Sequence, residues 1–168
     1  MELKSYLLAQ LESEAALTRK AVIRVPEGRN DFKPHPRSMP LGYLAALVAS
    51  MPAWITLMIE HGELNLDDPA SQGFRPNVAE RNEELVAMVD NSVASARRSL
   101  ESTSDDHLIT KWAFKMGGRA VSEDARYRMI ANAVFSHLAH HRGQLSVYLR
   151  LNDAVVPAMY GPSADEQF

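Results

Sequence analysis

Apolar residues recur at threes and fours over most of the chain, a spacing that predicts helices rather than strands. Leu3, Leu7, Leu11, Ala15, Thr18 and Val22 share one side of a first helix over about Glu2–Val22. That helix ends before Val25-Pro26-Glu27-Gly28, a proline–glycine stop. Pro26, Pro34, Pro36 and Pro40 make residues 26–40 an extended connection. A second helix over about Leu41–His61 carries Leu44, Leu47, Val48, Met51, Ile55, Met58 and Ile59, and Pro52 should kink or split it.

A loop over Gly62–Pro76, holding Asp67-Asp68-Pro69 and Gly73, leads to a third helix. Asn77-Val78-Ala79-Glu80 reads as its capping box, with Leu85, Val89, Val93, Ala96 and Leu100 facing the core. Between Ser102 and Glu123 the pattern suggests a short helical turn, then a small β-hairpin near 112–121 around Gly117-Gly118. A fourth helix over about Glu123–Leu151 shows Ile130, Val134, Leu138, Leu145, Tyr148 and Leu149 on one stripe. A tail with Pro157 and Gly161-Pro162 closes the chain. The expected fold is all-α: one domain over 1–168, a four-helix bundle with long crossover connections.

Composition narrows the function. The 168 residues are 46% hydrophobic and 23% charged, as in soluble globular proteins. A net charge of -3 gives no electrostatic case for nucleic acid or an anionic membrane. There is no cysteine, which excludes disulfides, zinc–thiolate sites and a cysteine nucleophile, and fits a reducing cytoplasm. Met1-Glu2-Leu3-Lys4 opens an amphipathic helix rather than a signal peptide. Leu41–Ile59 lacks charge over the length of a membrane span, but Gly42, Ser50, Pro52 and many alanines favour a buried helix.

The candidate chemistry lies in His137-Leu138-Ala139-His140-His141. His137 and His141 are one helical turn apart and fall on the apolar stripe, so both imidazoles point inward. Such a pair can grip zinc, nickel, copper or iron; a hydrogen-bonded core pair is the other reading. A catalytic zinc usually has three protein ligands and one open position, so a third ligand is wanted. His140 is turned by about 100° and should leave the site. His35, His61 and His107 take surface or capping roles, and Arg142 is expected to pair with an acid at the surface. Gly143 costs a helix interior about 1 kcal/mol relative to alanine, which suggests close approach of another backbone or chain.

The sequence resembles the DinB family, the DinB/YfiT-like metalloenzymes. The resemblance rests on Asp31-Phe32-Lys33-Pro34-His35-Pro36-Arg37-Ser38-Met39, Leu41-Gly42-Tyr43-Leu44-Ala45, the segment from His137 to Leu145, and the tail from Val156 to Glu166. It implies a four-helix bundle, commonly a homodimer, with a metal centre of three histidines, two on helix four and one on helix two. The helix-four pair carries over onto His137 and His141. Where the family reads Leu-Ala-x-His-Val, this chain reads Leu44-Ala45-Ala46-Leu47-Val48, and Leu47 cannot bind a metal. Tyr43 and Met51, one turn away, are poor substitutes: one needs a phenolate and the other is a soft thioether. His61 lies about 21 Å along the axis at 1.5 Å per residue.

The resemblance implies a metal-dependent hydrolase or thiol-dependent transferase, with zinc or nickel at an incomplete site and a low-molecular-weight thiol or other small molecule as ligand. The competing expectation is a non-catalytic dimeric bundle that binds a small molecule or serves as a stress-associated structural module.

Overall fold

The computed structural model describes residues 2–69, 71 and 76–167. Met1 and Gly73, which entered the sequence reading, lie outside them. Helix α1 spans Leu3–Val22. Its first free N–H groups, on Leu3 and Lys4, donate to the Asp105 carboxylate at 2.8 and 2.9 Å, a cap supplied from far along the chain. The buried side of α1 is Leu7, Leu11, Glu14, Thr18, Ala21 and Val22, so a carboxylate sits within an otherwise apolar stripe.

Pro52 divides the second helical run as its missing N–H requires. Helix α2 spans Leu41–Ser50, a 3₁₀ turn takes Met51–Ala53, and α3 spans Trp54–Glu60. The run Leu41–Glu60 is long and apolar enough to cross a membrane, with mean hydropathy 1.7, yet 67% of it is buried inside the fold. Its apolar faces are used on α1, α4 and the last helix.

Helix α4, Asn82–Ser102, begins five residues after the expected cap at Asn77. The Glu27 carboxylate accepts the Asn82 N–H at 2.9 Å, and Glu84 accepts those of Glu80 and Arg81 at 2.9 and 3.4 Å. Residues 77–81 stay outside the helix, with the Ala79 carbonyl accepting from Asn30 Nδ2 at 3.0 Å. A short helix α5, Asp105–Leu108, is capped by the Ser104 hydroxyl, which accepts from the His107 N–H.

The all-α expectation needs correction. The hairpin is longer than expected, with β2 over Lys111–Met116 and β3 over Arg119–Ala125. A third strand, β1 (Glu63–Asn65), comes from the expected loop and pairs parallel to β2, with Leu64 opposite Phe114. In the antiparallel pair Lys111 faces Ala125 and Met116 faces Arg119, with a bulge at Phe114/Lys115. Gly117 and Gly118 turn the hairpin at φ 63° and 72°, left-handed values that glycine adopts without strain. The Asp67 carboxylate accepts both their N–H groups, at 3.2 and 2.8 Å, and so ties the end of β1 to the turn.

The last helical run starts at Arg126, because residues 123–125 belong to β3. It consists of α6 (Arg126–Met129), a π-helical segment (Ile130–Ser136) and α7 (His137–Leu151). Arg126 is buried and donates to the carbonyls of Met58 (2.9 Å), Lys111 (2.8 Å) and His61 (3.2 Å). One guanidinium thus joins the end of α3, the start of β2 and the start of α6.

The core has two parts. Leu41, Leu44, Leu47, Val48, Leu85, Val89, Leu138, Leu145 and Leu149 form one. Leu7, Leu11, Ile55, Leu100, Trp112, Ile130 and Val134 form the other, against the sheet, and Trp54 packs on both. The fold is mostly helical with a small three-stranded sheet.

Candidate metal centre

His137 opens α7 directly after the π-helical segment, and His141 follows one turn later. Their ring centroids are 4.5 Å apart, and the two Nε2 atoms lie 2.8 Å from each other. His141 is 8% exposed and His137 is half-buried. The indole of Trp54 packs against the His137 ring at a tilt of 51°, with centroids 5.7 Å apart.

The far nitrogens are engaged too. Nδ1 of His141 lies 2.8 Å from Gln144 Oε1, while the Gln144 amide nitrogen lies 3.0 Å from Nε2 of His140. In this amide orientation the His141 Nδ1–H donates to Gln144. The His137 imidazole donates to the Ala133 carbonyl, one turn back. The 2.8 Å approach of the two Nε2 atoms is that of a hydrogen bond between the rings, its donor set by the tautomer, and a metal ion held between them would take the place of that proton. Burial holds the His137 pKa below the usual imidazole value, with His141 and His140 adding to the fall and Ala133 opposing it.

Two imidazole nitrogens on one tetrahedral metal at about 2.0–2.1 Å each stand about 3.3 Å apart, so the 2.8 Å pair would open by about half an ångström to hold one. The donor set fits a borderline transition ion such as zinc or nickel. Among the described residues no group of three His, Cys, Asp or Glu side chains converges. Leu47 is 8% exposed, packed within the first core cluster, and supplies no donor. Met51 is wholly buried in the same cluster, and Tyr43 packs on its edge.

His140 is exposed, but against expectation it stays beside the pair, its ring centroid 5.1 Å from that of His141 and 6.4 Å from that of His137. The remaining histidines lie apart. His107 places Nε2 2.9 Å from the Ile59 carbonyl at the end of α3. His61 terminates α3, and His35 accepts the Arg37 N–H at 3.2 Å within its own loop.

Arg142 corrects an expectation: it pairs with an acid, but in the interior. It is 0% exposed and its Nη2 donates to Glu14 Oε2 and to the Tyr160 hydroxyl. Nη1 reaches the Glu14 carbonyl at 3.1 Å and Thr18 Oγ1 at 2.9 Å. The cluster locks α7 to α1 and to the tail. Spacing alone gave no sign of it, although Glu14 on the stripe of α1 was a readable hint of a buried partner. Within the chain the space at Gly143 is open: apart from its own helix backbone and its two chain neighbours, no described atom lies within 4 Å of where a Cβ would stand.

His137 also forms part of the wall of a cavity of about 340 Å³ between α3, the sheet and the π-helical segment. No local pattern in the sequence marks this space.

These features define a class: a mostly helical scaffold that carries an inward-facing His-x-x-x-His pair on its last helix. The chain belongs to the DinB family, which it matches over residues 4–167. Its fold is similar to solved DinB-like proteins from Bacillus cereus (TM-score 0.69, 19% identity, 92% of this chain and 95% of that one) and Bacillus subtilis (0.65, 18%, 90% and 95%). A DinB-family structure from Exiguobacterium sibiricum is similar as well (TM-score 0.64, 20% identity, 91% and 93%). No curated protein matches the chain.

Proposed function

We propose that His137 and His141 form a two-nitrogen site for a divalent transition metal, zinc or nickel, within a four-helix bundle. The remaining metal positions are left to water or to a substrate group. The observation that carries this is the 2.8 Å approach of the two Nε2 atoms, with their other ring nitrogens committed elsewhere. When bound, the metal would act as a Lewis acid that lowers the pKa of a coordinated water or thiol. His137 and His141 hold it, Gln144 and the Ala133 carbonyl fix the two rings, and Trp54 screens one side from solvent. The reading is a metal-dependent hydrolase or a thiol-dependent transferase. Since the chain has no cysteine, a low-molecular-weight cosubstrate would bring the thiol. A cytoplasmic homodimer is the setting we assign to it.

A second reading is favoured by Leu47, whose buried apolar side chain stands where the family's third histidine would be. In it the chain is a non-catalytic dimeric bundle that binds a small molecule or serves as a stress-associated structural module. Metal analysis of tag-free protein separates the two. About one equivalent of zinc or nickel, lost in His141→Ala, supports the metal site. Metal-free protein whose melting is unmoved by added zinc or nickel supports the second reading. Leu47→His should raise metal affinity sharply, because a third imidazole completes the set.

A further inference from the structure

We infer that His140 is a positioning residue: through the Gln144 amide it sets which nitrogen of His141 carries the proton, and so whether His141 Nε2 is open to a metal ion. Gln144 follows His141 by three residues and His140 by four on α7, so its side chain, leaning toward the helix N-terminus, reaches both rings. Its oxygen lies 2.8 Å from His141 Nδ1 and its nitrogen 3.0 Å from His140 Nε2. The three groups form one chain of hydrogen bonds. His141 Nδ1–H donates to the amide oxygen, and the amide N–H donates to the lone pair on His140 Nε2.

The alternative differs by one amide flip, which exchanges oxygen and nitrogen without changing the shape of Gln144. The amide N–H would then face His141 Nδ1, which accepts only when the His141 proton sits on Nε2. That proton would occupy the 2.8 Å gap to His137, where a metal ion would otherwise bind. Gln144 fits both arrangements equally well, so the choice falls to its other partner. While His140 offers a lone pair at Nε2, the amide nitrogen stays on its side and the oxygen on the side of His141. His140 is exposed, yet its ring stands edge-on to that of His141 at 5.1 Å, which keeps it within reach of the amide. The consequence for metal rests on the two-nitrogen site proposed above; the coupling of the three side chains does not.

Nitrogen NMR of the metal-free full chain, labelled at histidine and held at about pH 9 where ordinary imidazoles are neutral, reads the His141 tautomer directly. The wild type should carry the proton on Nδ1. His140→Ala should raise the share on Nε2, and His140→Gln, whose amide oxygen accepts in place of the ring nitrogen, should restore Nδ1. In a Gln144→Leu background His140→Ala should change nothing, because the link is gone. Competition with a chromophoric chelator gives a second readout. Zinc should bind about three- to tenfold more weakly to His140→Ala, the return on one hydrogen bond, and as tightly as wild type to His140→Gln. A wild-type proton on Nε2, or a His141 tautomer indifferent to His140→Ala, overturns the inference. So does an effect of His140→Ala that survives undiminished in Gln144→Leu, or an unchanged zinc affinity in a protein that binds zinc. If the wild type binds no zinc, the metal site proposed above fails, and the tautomer shifts alone support or overturn this coupling.

Discussion

Arg142 on α7 and Glu14 on α1 form an ion pair with side chains only 1% and 4% exposed, 128 residues apart in sequence. Glu14 also accepts from Gln10 Nε2 at 2.8 Å and from the Tyr160 hydroxyl at 2.7 Å, so its oxygens are fully used. Attraction in a low-dielectric interior is strong, but so is the cost of desolvating both charges. The net value of such a pair lies near zero, and the loss from breaking it is large.

Glu14→Ala should therefore cost about 3–5 kcal/mol, because the Arg142 charge is left buried without its counter-ion. Replacing both residues together, Glu14→Leu with Arg142→Met, should recover most of that loss. Urea denaturation of the two variants checks this, and a double variant as unstable as the single one would contradict it.

Tyr160 gives the network a pH signature. The residue is 63% exposed, but its hydroxyl is directed between Glu14 and Arg142. Burial of that hydroxyl and its hydrogen bond to Glu14 outweigh the pull of Arg142, and its pKa is pushed up to about 12. An unfolded tyrosine ionises near pH 10, so between about 10 and 12 the folded chain holds a proton that the unfolded chain has lost. Stability contributed by Tyr160 is complete below pH 10 and falls as the pH rises through that window. Spectrophotometric titration should show one late-ionising tyrosine that disappears in Tyr160→Phe, together with the steepest part of the alkaline stability loss.

Gln144 orients His141 through Nδ1 at 2.8 Å. Removing such a partner from a metal-binding histidine commonly lowers metal affinity by about 10–100-fold. Gln144→Leu should do so while leaving the helix intact, as read by competition with a chromophoric chelator against circular dichroism. Unchanged zinc or nickel affinity would mean that the His141 ring is held by other contacts.

Gly143 lies inside α7 with open space where a Cβ would stand. Gly143→Ala should raise stability by up to about 1 kcal/mol through helix propensity alone. Thermal melting measures that gain, and sedimentation shows whether association changes with it. A stabilised monomer with weakened self-association would place the partner's backbone against this position.

How much of this was legible beforehand depended on the range of the interactions. Helices α1, α2, α4 and α7 follow from side-chain spacing, and the break at Pro52 from a missing donor. The two glycines marked the hairpin because its turn needs left-handed backbone. The histidine pair was visible because one helical turn separates its members. Strand β1 was not, since three residues carry too little alternation and its partner Ala113–Lys115 lies some fifty residues on. The start of α4 was misplaced because Glu27, rather than Asn77, caps it. The cavity had no local signature at all, as its walls come from five separate stretches of chain.

The π-helical segment over Ile130–Ser136 has a further effect on how the last helical run can change. It lies at the boundary of the two core clusters: Met129, Ile130 and Val134 pack in one, Leu138, Leu145 and Leu149 in the other. Its wider turns take in extra chain and reset the angular phase between the two halves. Deleting one residue there would turn one half by about 100° relative to the other, and the apolar faces of Met129 and Leu145 would no longer both meet their cores. The segment acts as a phase adjuster, which lets the apolar face of α6 and that of α7 each meet its own core cluster on a single continuous rod.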